Sequence, residues 1–229
     1  IDDEKSSDTI KKYMHDVSVF VSYVGDMPLN KTDVIRYKAY IKEKYSPSSV
    51  NSMLSSINAL FSFLGWYEMK VKALKIQKQV FESKEKELTK AEYNRLLDAA
   101  LEQDNERLYF LTQTIASTGI RISEVEFITV EALRRKHADV NNKGKRRRVL
   151  LPDELCEILL DYCRKQNITS GYVFRTKNGK PIDRSNIWKD MKKLCRTARV
   201  SEKKVFPHNF RHLFARTYYS LQKDIVRLA

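Results

Sequence analysis

The 229-residue chain is expected to be mainly α-helical with a small antiparallel β-sheet, an α+β architecture in two units. Three observations predict this. Apolar residues recur at three- and four-residue steps through most of the chain, beginning with Ile10, Tyr13, Met14, Val17, Phe20, Val21 and Val24. One basic stretch, Val140-Asn141-Asn142-Lys143-Gly144-Lys145, reads as a hairpin turn, with Val149, Leu150 and Leu151 in the returning strand. Lys70 to Lys86 is poor in large apolar residues and reads as a solvated linker. It divides a helical first unit, residues 1–82 with the linker included, from a mixed second unit, residues 83–229.

In the first unit, the opening helix is closed by Gly25 and Pro28, and Val34, Tyr37 and Ile41 mark a second. A third opens at Ser46-Pro47, where serine caps and proline suits the first turn. Its apolar stripe is Val50, Leu54, Ile57, Phe61 and Leu64. The remaining positions are short and hydrogen-bonding, among them Ser48, Ser49, Asn51, Ser52, Ser55, Asn58 and Ser62. Such a face lets a backbone approach a nucleic-acid groove, which makes Ser49, Asn51, Ser52 and Ser55 DNA-contact candidates. Packing against a neighbouring helix explains it equally well, and both readings stand.

In the second unit, Thr89 and Glu92 have capping-box spacing ahead of Tyr93, Leu96, Leu97 and Leu101. A helix from about Glu106 to Thr118 is stopped by Gly119, and basic, irregular sequence then leads to the hairpin. After Pro152, helical spacing resumes at Leu155, Ile158, Leu159 and Tyr162. Tyr172 to Phe174 reads as a short strand before an Asn178-Gly179 turn, and helices follow from about Arg184 to Arg199 and Pro207 to Leu221.

The net charge of +14 points to a polyanionic partner, with double-stranded DNA foremost. Residues 1–83 carry 12 basic and 10 acidic side chains, residues 84–229 carry 31 and 19, so the second unit should hold the phosphate-facing surface. Basic charge also serves solubility alone, so charge does not decide the matter. Cys156, Cys163 and Cys195 form no CxxC pair and are odd in number, which argues against a zinc site or disulfides. Cys156 and Cys163 fit a core, and a reduced, cytosolic setting without metal or cofactor is expected. The longest apolar stretch, Val17 to Val24, is broken by Ser18 and Ser22 and falls far short of the ~20 residues of a membrane span. Ile1 is no initiator methionine, so the start reads as a processed end or an internal boundary, with room for a preceding domain.

Two local patterns stand out: Thr118-Gly119-Ile120-Arg121-Ile122-Ser123-Glu124-Val125 and His208-Asn209-Phe210-Arg211-His212. Together they resemble the tyrosine recombinase (phage-integrase) family. The first is similar to its TGxRxSEL box with Val125 for Leu, the second to its HxLRH box with Phe210 for Leu. Between them, Lys143 occupies the place of the catalytic lysine on that family's GKG-type turn. The resemblance covers nearly the whole chain and implies a helical, SAM-like core-binding domain ahead of a catalytic domain.

The residue types suit phosphoryl transfer, where catalysis is largely positioning and charge neutralisation. Arginine's planar fork gives two parallel hydrogen bonds to phosphate, so Arg121 and Arg211 are expected to clamp the non-bridging oxygens. His208 and Arg211, three apart, share one face at a helix start. By the resemblance, His208 assists proton transfer or binds phosphate, both remaining open, and Lys143 is the general acid for the departing 5′ oxygen. Glu124 is expected to orient an arginine. His212 is a supporting candidate, expected to pack in the core, while Lys145, Arg146 and Arg147 are candidates for DNA contact. Taken singly, each has a bland reading; the set carries the weight.

The resemblance also implies a nucleophilic tyrosine farther past Arg211 than the 18 residues that follow it. Tyr218 and Tyr219 continue an apolar pattern with Phe214 and Leu221 and are expected to pack in the core. The parent would form a 3′-phosphotyrosyl link without metal or nucleotide, as a tetramer on DNA. Residues 1–229 are expected to be monomeric and to bind without cleaving. A type IB topoisomerase and a catalytically silent DNA-binding protein of the same fold are the rival readings.

Overall fold

Capping residues set most of the helix starts. In the computed structural model, which describes residues 6–25, 28–76, 86–142 and 145–222, the chain is mostly helical with one two-stranded antiparallel sheet among the described residues. It divides into two units, Ile1–Val80 and Phe81–Ala229.

The first unit holds α1 (Ser7–Val24), α2 (Lys31–Lys44), α3 (Pro47–Phe63) and a 3₁₀ turn at Tyr67–Met69. Asn30 caps α2 in a reciprocal box with Asp33, and Ser46 caps α3 ahead of Pro47. Phe20, Tyr37, Ile41, Leu54, Ile57 and Phe61 form the core, with Phe20 meeting Tyr37 and Phe61 edge-on at 5.0 and 5.9 Å.

The expected stripe of α1 needs correction, since Ile10, Met14 and Val21 are exposed. The face that α1 buries runs through Phe20 and Asp16. Asp16 accepts a 2.6 Å hydrogen bond from the Ser56 hydroxyl and pairs with Lys12. Apolar residues spread around a helix do not reveal which face a neighbour covers. Leu64, placed on the stripe of α3, is likewise exposed.

The start of the segment read as a solvated linker is strapped down instead. Asn58 donates to the Val71 carbonyl at 2.9 Å and accepts from its amide at 3.0 Å. Asn51 does the same with Leu74, at 2.9 and 2.6 Å. Lys31 donates to the carbonyls of Glu68 and Lys70, and Lys38 to that of Lys72. Val71 is buried as a result. Much of the short polar face of α3 therefore serves packing: Asn51 and Asn58 hold the departing chain and Ser56 holds Asp16. Ser49 and Ser55 remain exposed and Ser52 half-buried. Asn58→Ala would orphan both Val71 backbone groups and is expected to lower the unfolding free energy by about 1–3 kcal/mol in urea titrations; an unchanged midpoint would show the strap to be dispensable.

The second unit holds α4 (Lys90–Glu102), α5 (Glu106–Thr118), a 3₁₀ segment (Ile122–Phe127), α6 (Val130–Arg135), β1 (His137–Asn142), β2 (Lys145–Leu150), α7 (Asp153–Lys165), α8 (Arg184–Ala198) and α9 (Pro207–Gln222). Thr89 and Glu92 form the capping box of α4. α5 lies against α4 and α9, and its Leu111 and Ile115 are fully buried, as are Leu88, Leu96 and Phe210. β1 and β2 pair from His137 with Leu150 to Asn142 with Lys145, so the strand begins four residues before Val149. Tyr172 to Phe174 is not a strand; only isolated pairings, Thr129 with Tyr172 and Arg175 with Pro181, occur there. The turn at Asn178-Gly179 is present, with Gly179 at φ 75°. All three cysteines are buried, and burial pushes the Cys163 thiol up to about 11. No helix of the described residues is long and apolar enough to cross a membrane.

Candidate active site

α5 ends at Gly119, whose φ of 61° is the left-handed conformation that glycine adopts without strain. A Cβ there would sit 2.5 Å from the Phe214 ring of α9. That turn sends the chain into Arg121, and the Gly119 carbonyl accepts a hydrogen bond from Arg211 Nη1. One glycine thus docks α9 and anchors its arginine.

Glu124, only 1% exposed, lies at the centre of the site. Its Oε1 accepts from Arg121 Nη1 at 2.9 Å, and its Oε2 from the Arg121 amide at 3.0 Å and Arg147 Nη2 at 2.5 Å. Burial pushes the Glu124 carboxyl up, but the bonds from Arg147 and from the amide and side chain of Arg121 outweigh it and hold the carboxyl below its ordinary 4.5. Arg211 is half-buried. Burial lowers the pKa of its guanidinium, and the positive charges of Arg121 and Arg147 lower it further. Arg211 reaches the Gly119 carbonyl, two residues before Arg121, and Arg121 and Arg147 both bond Glu124, so the arginines of two motifs 90 residues apart are brought to one stretch of chain with Arg147 beside it.

At the start of α9, Asn209 is buried and donates to the carbonyls of Lys86 and Lys204 at 2.9 and 2.7 Å, while Phe210 packs against Tyr93. These two inward residues turn His208 and Arg211 toward the other side. His208 is exposed, one turn before Arg211. His212, expected in the core, is also exposed, its ring edge-on to His208 at 4.4 Å, because residues four apart share a helix face.

Lys143 lies outside the described residues. Lys145 pairs with Asn142 through the strand backbone. Arg146 is exposed, and Arg148 is paired with Asp139 at 3.0 Å. An open groove beside the hairpin is lined by Asp139, Val140, Asn141, Arg146, Arg147 and Arg148. Tyr219, expected in the core, is 47% exposed, and Tyr218 is half-buried with its ring against Phe214. Sequence reasoning passed over Asn209, whose buried amide had no signal beyond its place inside the motif.

Residues 86–228 match the model of the phage integrase family, and residues 1–68 match the phage integrase N-terminal SAM-like domain. The chain belongs to the phage integrase family, that of the tyrosine recombinases. It is similar to the tyrosine recombinase XerA of Pyrococcus furiosus, 28% identical over 92% of this chain and 74% of the relative. Its fold matches the Tn1549 transposon integrase in complex with circular intermediate DNA, with a TM-score of 0.77 and 17% identity over 98% of this chain and 85% of that one. It also matches a lambda integrase tetramer bound to a Holliday junction, with a TM-score of 0.74 and 15% identity over 95% of this chain and 66% of that one.

Two outcomes follow from this geometry. Gly119→Ala must adopt a left-handed backbone and push against Phe214, and is expected to cost about 2 kcal/mol or more in chemical denaturation. The Glu124 carboxyl titrates lower in the folded than in the unfolded protein, so its pairing stabilises the fold above the ordinary value and fades as pH falls below it. Glu124→Gln should therefore destabilise by about 2 kcal/mol near neutral pH, and the gap to the wild type should narrow in melts at about pH 3.

Proposed function

We propose that this protein acts in site-specific DNA recombination, breaking and rejoining strands through a 3′-phosphotyrosyl intermediate. The observation that carries the reading is that Arg211 bonds the Gly119 carbonyl, two residues before Arg121, which is itself held by the buried Glu124. Two guanidiniums from separate segments provide paired donors for the non-bridging oxygens of a phosphodiester and neutralise its charge as attack proceeds. Lys143, which follows β1 in the sequence, is assigned to protonate the departing 5′ oxygen. His208 assists by binding phosphate or relaying a proton, His212 supports His208 through their ring contact, and Glu124 orients Arg121.

Residues 83–229 are the catalytic unit in this reading, with Lys145, Arg146 and Arg147 as its DNA contacts. Residues 1–82 are a core-binding unit contacting DNA through Ser49, Ser52 and Ser55. Asn51 is set aside, since both ends of its amide are engaged by Leu74. Double-stranded DNA is the partner, in the cytoplasm and without a cofactor. The active assembly is a tetramer on DNA, as in the lambda integrase neighbour, and residues 1–229 are a monomer when free.

No nucleophile is assigned to Tyr218 or Tyr219. Tyr218 lies seven residues past Arg211, about 10 Å along α9, with its ring against Phe214. Residues 1–229 are therefore expected to form no covalent adduct with a nicked duplex that traps phosphotyrosyl ends. They should bind duplex DNA with a strong salt dependence, and Arg211→Gln should reduce the slope of log affinity against log salt by about 1. An adduct would place the nucleophile within these residues, and an unchanged slope would remove Arg211 from the phosphate.

A further inference from the structure

On the β1–β2 hairpin, partners directly opposite share a face, and the register sets Ala138 against Val149 and Val140 against Arg147. Ala138, Val140 and Val149 are buried, whereas Asp139, Asn141, Arg146, Arg148 and Leu150 are exposed. Arg147 thus stands on the core-facing side, in a row otherwise taken by small apolar residues. A guanidinium there is costly unless charge meets it, and Glu124 does so at 2.5 Å.

Glu124 does not balance the charge around it. Its single carboxylate faces Arg121 and Arg147, and Arg211 is anchored on the Gly119 carbonyl two residues before Arg121, where their positive charges lower its pKa. Three guanidiniums against one carboxylate leave an excess of two positive charges. A phosphodiester carries one negative charge, and the five-coordinate arrangement reached during attack carries two, so the excess matches the reacting state better than the resting one. The Arg147 side chain also keeps 37% exposure, so Glu124 does not seal it from a phosphate. Its buried Nε has no hydrogen-bond partner among the described residues.

From this geometry we infer that Arg147 is a third phosphate-binding arginine of the Arg121–Arg211 site, held on the inner face of the hairpin by Glu124. It thereby differs from Arg146, which faces outward, and from Arg148, which is paired with Asp139. The inference rests on the phosphate-site reading of Arg121 and Arg211 and extends it to a residue outside both motifs.

The test is a titration of ¹⁵N-labelled residues 1–229 with tungstate, a tetrahedral dianion, followed through the arginine Nε–Hε resonances and assigned with Arg121→Lys, Arg147→Lys and Arg211→Lys. The Arg121, Arg147 and Arg211 signals should move together with one half-saturation concentration. Arg147→Gln should raise that concentration about tenfold, and Arg147→Lys by less, since lysine restores charge but not the fork. If Arg121 and Arg211 respond while Arg147 stays still, the third arginine is refuted and the two-arginine site stands. If none of the three responds, the phosphate-site reading itself fails. Should Arg147→Gln not fold, the wild-type titration alone decides.

Discussion

The rest of the site depends on one buried carboxylate. Glu124 is almost wholly removed from water, a cost that only charged or strongly polar partners can offset. It obtains three: the Arg121 amide, the Arg121 guanidinium and the Arg147 guanidinium. The first two fix the loop leaving α5, and the third draws the hairpin strand against that loop. Glu124 therefore joins two stretches of chain that a sequence motif shows only as separate boxes. Because it cannot neutralise all the arginines near it, the place where they meet stays electropositive, which is what recognition of a phosphate requires.

The third stretch, α9, is attached by different means. Gly119 has no side chain where Phe214 lies, which permits close packing, and its carbonyl receives Arg211. Asn209 and Phe210 point inward and fix the rotation of the helix about its axis. Rotation matters because His208, Arg211 and His212 acquire a common direction only once their neighbours are buried. The same residues that stabilise the second unit are those that aim its chemistry.

Much of this was legible in the sequence, for physical reasons that differ from place to place. Gly119 and Pro207 mark helix ends because their backbone preferences are local, and the starts of α2, α3 and α4 follow from side-chain caps. The six residues of α6 are too few to show a period. The buried face of α1 and the choice between packing and DNA contact for the polar face of α3 are not legible, because the partners that decide them, Ser56 for Asp16 and the 71–74 segment for Asn51 and Asn58, are distant in sequence. Both motif arginines could be named in advance. The inward turn of Arg147 could not, since alternation along a strand assigns a face only once the register with its partner is known.

The proposed function comes down to one claim, that Arg121 and Arg211 share a phosphate, and the bond from Arg211 to the Gly119 carbonyl beside Arg121 is what motivates it. The most direct measurement is a crystal structure of residues 1–229 soaked in tungstate, with the metal located by its anomalous scattering. The account predicts one dominant peak within hydrogen-bonding distance of both guanidiniums. Density bound only at other basic surfaces, with Arg121 and Arg211 unoccupied or pointing apart, would contradict it.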